Sequence, residues 1–375
     1  MSKYHGIIFA YSDAPELGDL TRERTVASLP FCGRYRLIDF ALSSMKNAGI
    51  TDVGVIMARD YQSLLDHIGG GKDWDMSRRS GGLRMLPPFG LPHAHSGNYG
   101  GTIEALNAVA PYIRDIPQDH IVLMLGSLLA NIDLSAAIAQ HEAGGAEITA
   151  ICSDGPTFGL NHHYLVDADG LVNGIHLYRG DSTKGLKSLE GYIVHKDVLL
   201  RMMDEAAARN HYAFHRHAML SFLEDGGKMD VYRHNGYVGA IRNIDQYYRA
   251  SMDMLDSEKR KQIFPAERPV RTKTHEEVSS YLGEQAVVKN CLIADNCIIE
   301  GEIENCIVFS GCRIGAGTKL KNSIIMRGVT VGEGAELSYV ISDKYARFSD
   351  NTRLNGSPKL PMVVPKNASI SCQPS

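Results

Sequence analysis

The first candidate for chemistry is the turn that follows the predicted strand Ile7–Ala10. A buried strand followed by a turn is where nucleotide-binding proteins place a glycine-rich loop, whose backbone N–H groups bind phosphate. Here the turn reads Ala10-Tyr-Ser-Asp-Ala-Pro-Glu-Leu, and the next glycine is Gly18. Glycine lets a backbone approach a phosphate because it has no side chain. The sequence therefore has the position of a phosphate site without the residues that such a site needs.

A histidine group has the residue type that binds metals. His211 and His215 are four residues apart, which would place both imidazoles on one face of a helix. The sequence shows no acidic residue or further ligand that would complete a metal site with His211, His215 and the neighbouring His217. We therefore interpret the three histidines as a structural cluster.

Composition excludes several classes of protein. The 375 residues suffice for two or more domains, and 39 Lys and Arg against 43 Asp and Glu leave a net charge of −4, which does not favour nucleic acid or membrane as a partner. Apolar runs such as Ile121–Leu125 are far shorter than the roughly 18 to 20 residues that span a bilayer. Without a signal peptide or a Cys-x-x-Cys pair, we expect a cytoplasmic protein with reduced thiols.

Residues 1–255 alternate short apolar strands with segments of helical periodicity. The predicted strands are Ile7–Ala10, Asp52–Met57, Ile121–Leu125, Glu147–Cys152 and Gly191–Val194, and the predicted helices are Ile38–Ala48, Thr102–Ile113 and Leu134–Ala143. This alternation predicts a Rossmann-like α/β domain with a mostly parallel sheet between helices. Ligands of such sheets bind beyond the carboxyl ends of the strands.

The pattern changes after about residue 283. Branched apolar residues then recur at six-residue spacing in three runs, which are Ile293 and Ile299, then Val308, Ile314 and Leu320, and then Ile325, Val331 and Leu337. A second repeat begins at Asn290, Asn305, Asn322 and Ser338, at intervals of 15, 17 and 16 residues. Both repeats predict a left-handed parallel β-helix of three to four coils over residues 283–375. Residues 256–282 are predicted to form a helix and a linker.

Four cysteines lie within this repeat region. They are Cys291, Cys297, Cys306 and Cys312. Spacings of six and nine residues lack the close pairs that zinc clusters use. We therefore predict that these cysteines are small inward or corner residues of the β-helix.

The two-part organisation resembles the sugar-nucleotide pyrophosphorylases. The runs Pro30-Phe-Cys-Gly-Arg-Tyr-Arg-Leu-Ile-Asp-Phe40 and Ala41-Leu-Ser-Ser-Met-Lys-Asn-Ala-Gly-Ile50 are similar to one branch, the glucose-1-phosphate adenylyltransferases. Asn98–Leu106 and Ile244–Ala250 resemble two further segments of that family, and the similarity extends over essentially the whole chain. The resemblance implies a GT-A-like nucleotidyltransferase domain before the β-helix, and a reaction of ATP with glucose 1-phosphate that gives ADP-glucose and pyrophosphate.

The resemblance also implies where the family's functional residues would fall. Its glycine-rich loop corresponds to Ala10–Glu16 and its phosphate-binding lysine to Val26. Its two magnesium-holding aspartates correspond to Ser127 and Ala240. Its sugar-phosphate lysine falls near Tyr178, where the neighbouring Arg179 is an alternative basic residue for that role. Serine and alanine do not supply anionic oxygens for magnesium. We therefore expect no catalytic residue and no cofactor in this chain, with magnesium bound by a catalytic partner subunit.

Some bacteria pair an active subunit with a non-catalytic paralogue of D type, and this sequence is similar to that paralogue. The resemblance implies a regulatory subunit of glycogen biosynthesis in a hetero-oligomer, a tetramer, with a catalytic subunit. Two alternatives stay open: an active enzyme with a relocated metal site at Asp133 or Asp13, and a free-standing sugar-phosphate sensor. An acyltransferase is disfavoured because all 15 histidines lie at or before His275, so the β-helix lacks a histidine base.

A group of arginines is a candidate effector site. Arg34 matches a family lysine that contacts anionic effectors such as sugar bisphosphates. Arg22, Arg24 and Arg36 lie nearby in the sequence, and together the four would form a basic site. The alternative is that Arg36 pairs with Asp39 or with local backbone carbonyls.

Overall fold

The structure, a computed structural model, describes residues 3–11, 14–79, 81–88, 99–155, 162–177, 186–274 and 276–371. The strands before residue 241 are β1 Tyr4–Phe9, β2 Pro30–Phe31, β3 Tyr35–Arg36, β4 Val53–Ile56, β5 Leu83–Leu86, β6 His120–Leu125, β7 Leu128–Leu129, β8 Ile148–Ser153, β9 His162–Val166, β10 Val172–Leu177, β11 Leu186–His195, β12 Met229–Arg233 and β13 Gly239–Ala240. The α-helices are α1 Ile38–Asn47, α2 Gln62–Ile68, α3 Thr102–Ala108, α4 Ala110–Arg114, α5 Leu134–Gly144, α6 Lys196–Ala208, α7 Leu220–Glu224, α8 Ile244–Met252 and α9 Ser257–Ile263.

The main sheet has the order β10-β9-β11-β6-β1-β4-β5, with β8 beside β11 and β12 beside β8. Of its nine described strands, β10 and β11 run opposite to the rest. The prediction of a mostly parallel sheet is therefore confirmed. Strands β1, β4 and β8 are buried along their full length, which explains their continuous apolar sequence.

The predicted helices are present, with one interruption. The segment predicted as one helix over Thr102–Ile113 is divided into α3 and α4 at Val109. Pro111 explains the division, because its ring lacks an N–H and clashes with the carbonyl one turn earlier.

The C-terminal residues form a parallel β-helix. Its strands are β14 Tyr281–Leu282, β15 Val287–Lys289, β16 Leu292–Ile293, β17 Ile298–Ile299, β18 Glu302–Glu304, β19 Ile307–Val308, β20 Arg313–Ile314, β21 Lys319–Lys321, β22 Ile324–Ile325, β23 Thr330–Val331, β24 Glu336–Ser338, β25 Val340–Ser342, β26 Arg347–Phe348, β27 Arg353–Asn355, β28 Met362–Val364 and β29 Ser369–Ile370. They make three sheets of six, five and five strands. The predicted apolar hexad residues pack together in its interior.

The predicted number of three to four coils was too low, because sheets of six, five and five strands make five complete coils. The hexad pattern is lost after Asn355. A turn with a bridge between Ser357 and Leu360 separates β27 from β28. Residues inserted at a corner shift the hexads, so the final coil has no recognisable sequence period.

Asparagines form the corners of successive coils. Asn290, Asn305 and Asn322 have φ values of 49°, 50° and 49°. Asparagine tolerates this left-handed conformation better than most residues, which explains the second repeat in the sequence. The side chains also pair along the β-helix, with Asn290 Nδ2 donating to Asn305 Oδ1 at 2.7 Å.

The two parts share one apolar cluster. Its members come from the N-terminal segment, α1, α8 and α9 on one side and from β19, β22 and β25 on the other. Tyr248 reinforces the contact by donating from its hydroxyl to the Asn322 carbonyl at 2.7 Å. The predicted domain limits at 255 and 282 stay predictions. Among the described helices, none has the length and apolar character that crossing a bilayer requires.

Candidate functional site

The first candidate site lies at the carboxyl ends of β1 and β6 and is called the strand-end site below. The two strands pair in register, with Phe9 opposite Leu125, and the Gly126 N–H donates to the Phe9 carbonyl at 2.8 Å. A Cβ at Gly126 would lie 2.7 Å from Ile38 Cδ1 and 3.2 Å from the Phe9 carbonyl oxygen, so a larger residue would require its neighbours to shift. This register places Tyr11 and Ser127 at the same edge of the sheet.

The two positions that the resemblance assigns to family aspartates, Ser127 and Ala240, are neighbours in this site. The short strands β7 and β13 pair antiparallel, with Ala240 opposite Leu128, the residue after Ser127. The two positions that the resemblance assigns to magnesium-holding aspartates therefore lie close together, and this chain has serine and alanine there. In the described part of the chain, no three His, Cys, Asp or Glu side chains converge as a metal site. The expectation that this chain holds no magnesium stays a prediction.

Bulky residues occupy the positions that the resemblance assigns to phosphate binding. The Tyr11 ring packs against Tyr99 with centroids 4.8 Å apart, and burial raises the pKa of its phenol, so it is neutral. Val26 is 1% exposed and belongs to the apolar cluster between the two parts. A lysine at that position would be buried in apolar surroundings, at a high desolvation cost. Tyr178 and Arg179 lie outside the described residues.

The charged groups at the rim of the strand-end site are paired with each other. Glu190 lies in a β-bulge of β11 with a φ of 53°, and its Oε1 is 3.5 Å from Arg242 Nη2. Burial raises the pKa of Glu190, and Arg242 opposes that rise. His162 Nδ1 lies 3.9 Å from the same oxygen, and burial followed by the charge of Arg242 lowers the pKa of His162 to about 4. A neutral imidazole and a paired carboxylate leave little free charge for a ligand.

Asp133, the alternative metal ligand, has other partners. Its Oδ1 accepts from the Ala136 N–H at 3.0 Å and thereby caps α5. Its Oδ2 lies 3.3 Å from Arg268 Nη1. Asp13, the other residue of that alternative, lies outside the described residues.

The histidine group does not converge on one point. His215 is buried, hydrogen-bonded to Tyr192 and stacked on His162 with centroids 3.8 Å apart. His211 instead stacks on His217 at 4.2 Å. Residues 214–219 form a π-helix, so the four-residue spacing does not align the two rings as an α-helix would. This arrangement agrees with the structural interpretation.

The second candidate site is a cavity between the β2–β3 hairpin and the β-helix, called the interdomain cleft below. Five basic residues line it, namely Arg34, Arg36, Lys273, Arg327 and Lys344. Glu277 and Asp295 also line it, and Glu277 pairs with Arg327 at 2.8 Å. The balance of charge in the cleft is therefore positive.

Lys344 has the most strongly shifted pKa among the residues that line the cleft. Burial, followed by the charges of Arg36 and Arg24, lowers the pKa of Lys344 to about 7. The other charged groups that act on it are Asp343 and Lys366. A lysine that is half-protonated at neutral pH among arginines would be stabilised in its charged form by a bound anion.

The four candidate effector arginines have different environments. Arg34 and Arg36 line the cleft. The Arg36 guanidinium also donates to the carbonyl and hydroxyl of Ser63, and its backbone N–H donates to Asp39 at 2.9 Å. These contacts agree with the alternative interpretation of Arg36, and its effector role stays a prediction.

Arg24 and Arg22 do not line the cleft. Arg24 is buried in an ion pair with Asp343 at 2.6 Å, and its Nη1 has no hydrogen-bond partner within the described residues. Arg22 is 78% exposed and only 4.0 Å from Asp19, which makes it a surface residue. Sequence reasoning missed Lys273, Arg327 and Lys344. No local pattern identifies them, because only the folded chain brings them to the hairpin.

Comparison with known protein families first gives the class of protein to which the chain belongs. Residues 5–158 match the nucleotidyl transferase family, and residues 275–359 match the family described as GlmU-like, C-terminal hexapeptide. The chain is therefore a nucleotidyltransferase-fold protein that continues into a hexapeptide β-helix, as the sequence predicts.

Relatives that match most of the chain identify its family within this class. The chain is 31% identical to the glycogen biosynthesis protein GlgD of Bacillus subtilis over 361 residues, which cover 96% of this chain and 95% of that protein. It is 28% identical to the glucose-1-phosphate adenylyltransferases of Fusobacterium nucleatum, over 84% of this chain and 83% of the relative, and of Desulfitobacterium hafniense, over 89% and 85%. The chain belongs to the family formed by GlgD and the glucose-1-phosphate adenylyltransferases.

Proposed function

We propose that this chain is a non-catalytic, regulatory subunit of a hetero-oligomeric glucose-1-phosphate adenylyltransferase that serves glycogen biosynthesis in the cytoplasm. The observation that carries the proposal is the strand-end site. The β7–β13 pairing brings together the two positions that the resemblance assigns to metal-holding aspartates, and this chain has Ser127 and Ala240 there. Tyr11 and Val26 fill space where phosphate donors would be needed. A chain that keeps the fold of the family without its catalytic residues suits a regulatory subunit that acts through a catalytic partner.

The open end of the β-helix is the surface that we propose for the catalytic partner. Strands β14, β15 and β16 each end their sheet, so no strand in the described part of the chain pairs with their outer backbone N–H and C=O groups. Tyr281 is 56% and Leu282 49% exposed on this first coil. Exposed apolar residues beside free strand edges favour association with another chain.

Co-expression with an intact glucose-1-phosphate adenylyltransferase tests the assembly. We expect the two chains to co-purify, with a mass that corresponds to a mixed oligomer. Leu282→Glu should weaken co-purification because it puts a charge on the first coil. Leu360→Glu is the matched control, since Leu360 is 77% exposed in the turn between the last two coils. Failure of the wild-type chain to co-purify would favour a free-standing sensor instead.

The interdomain cleft is the site that we propose for an anionic effector, with a sugar bisphosphate as the class of ligand. Arg34, Arg36 and Lys344 would contact the phosphate groups. Guanidinium groups bind phosphate through paired hydrogen bonds, and lysine binds it as a point charge. Because the cleft contacts both parts of the chain, a ligand there would bias how the β-helix sits against the α/β part.

Effector binding should depend on pH through Lys344. Its pKa of about 7 in the free chain means that it loses its proton as pH rises from 7 to 9. An anion binds the protonated form better, so the dissociation constant of a sugar bisphosphate should rise by up to about tenfold per pH unit in that window. Titration calorimetry at pH 7, 8 and 9 measures this, because the phosphate groups are already ionised there.

Lys344→Met is the control for the pH dependence. The variant should bind more weakly than wild type at pH 7, and its affinity should change little between pH 7 and 9. A wild-type affinity that is constant over this range would show that Lys344 does not contact the ligand. Arg22→Met should leave binding unchanged, because Arg22 is exposed outside the cleft.

A further inference from the structure

Two cysteines lie next to each other on neighbouring coils of the β-helix. Cys291 immediately precedes β16 and Cys306 immediately precedes β19, and these strands pair in register, with Leu292 opposite Ile307. The Cys306 N–H donates to the Cys291 sulfur at 3.4 Å. In-register residues on neighbouring strands are about 4.8 Å apart, within the roughly 4.4 to 6.8 Å between Cα atoms that a disulfide spans.

The two thiols differ in a way that suits stepwise oxidation. Cys291 is half-buried in the first coil, whereas Cys306 is fully buried beneath it, and both are unbridged. Hydrogen bonding from the Cys306 thiol and N–H outweighs burial and lowers the pKa of Cys291 to about 7. A thiolate that solvent reaches, with a second thiol beside it, is the arrangement of redox-sensitive cysteine pairs.

We propose that Cys291 and Cys306 form a peroxide-sensitive thiol pair that closes to a disulfide between the first two coils. The Cys291 thiolate attacks one oxygen of hydrogen peroxide, which breaks the O–O bond and yields a sulfenic acid and, after protonation, water. The Cys306 sulfur then attacks the Cys291 sulfur and displaces the hydroxyl group as a second water. The two thiols lose two electrons in total, and the peroxide accepts them.

The chain contains a matched pair with the same stacking. Cys297 and Cys312 precede β17 and β20, which also pair in register, with Ile298 opposite Arg313. These two cysteines are 1% and 0% exposed, in the interior of the β-helix. Peroxide does not reach them in the folded chain. Although these two cysteines are adjacent, we therefore expect peroxide not to oxidise them.

Peptide mapping by mass spectrometry tests the proposal. The full-length chain is treated with hydrogen peroxide under native conditions, its remaining thiols are alkylated after denaturation, and disulfide-linked peptides are quantified. We expect a linked Cys291–Cys306 peptide that dithiothreitol reverses, formed at least about tenfold faster than any Cys297–Cys312 link. The double variant Cys297→Ser, Cys312→Ser should keep the response, whereas Cys291→Ser should abolish it.

A trapping experiment keeps the test informative if the disulfide itself is not seen. In Cys306→Ser the sulfenic acid at Cys291 has no partner thiol, so dimedone should label Cys291 after peroxide treatment. Circular dichroism confirms that each variant is folded. Absence of the linked peptide in the wild type together with absence of dimedone labelling in Cys306→Ser would overturn the proposal. Equal oxidation rates for the two cysteine pairs would overturn it as well.

Discussion

Replacing Arg24 by methionine is expected to lower the free energy of unfolding by about 3 to 5 kcal/mol, the cost of removing one partner from a buried ion pair. Arg24 Nη2 lies 2.6 Å from Asp343 Oδ2, and the side chains are only 4% and 1% exposed. Methionine leaves the buried Asp343 carboxylate without its ion-pair partner. Because the pair joins the N-terminal segment to the β-helix, we expect unfolding at a lower urea concentration.

Two further variants separate this effect from the loss of any charge at the interface. Lys366 Nζ lies 2.7 Å from Glu23 Oε2 across the same interface, but these side chains are 35% and 61% exposed. Lys366→Met should therefore cost less than about 1 kcal/mol. The double variant Arg24→Met, Asp343→Leu removes both buried charges and should recover most of the loss. A wild-type urea midpoint for Arg24→Met alone would contradict a structural role for the pair.

Restoring the two carboxylates by Ser127→Asp and Ala240→Asp is expected to leave the chain without measurable pyrophosphate release. The β7–β13 pairing brings the backbones of these two positions close together. The phosphate donors would still be missing, because Tyr11 and Val26 are packed into the structure. Loss of a single donor to a developing negative charge costs about 10²- to 10³-fold in rate, and several are absent from this chain.

A competent family member provides the control for this experiment. Exchanging its two aspartates for serine and alanine should abolish its activity, which proves that the assay reports on the metal positions. The double variant of the present chain must also remain folded, as circular dichroism can establish. Substantial turnover by Ser127→Asp, Ala240→Asp would mean that the phosphate site is intact despite the packing of Tyr11 and Val26.

Local patterns predict most of the scaffold. Short segments of sequence are enough to recognise the apolar runs of β1, β4, β6 and β8 and the helical spacing of α1 and α5. The six-residue repeats identify the interior of the β-helix. The direction of β11 and its bulge at Glu190 are not visible in such windows, since they depend on pairing with β6 and β8. The last coil was not predicted because the turn near Ser357 interrupts the six-residue repeat.

The candidate sites were predictable only in part. The family resemblance identified Ser127 and Ala240, and the strand pairing then brought them together. Arg24 illustrates the limit, because its partner Asp343 is 319 residues away and nothing near Arg24 indicates that it is buried. The same holds for Lys344, whose perturbed pKa arises from burial and from arginines of the N-terminal segment. Long-range neighbours decide burial and charge, and a single sequence does not reveal them.

The most direct test is a three-way assay of pyrophosphate release with ATP, glucose 1-phosphate and magnesium. It compares the present chain alone, a competent adenylyltransferase subunit alone, and the two co-expressed as one assembly. We predict no measurable rate for the chain alone and a mixed assembly whose rate or effector response differs from that of the competent subunit. Turnover by the chain alone at the rate of a competent enzyme would contradict a non-catalytic role.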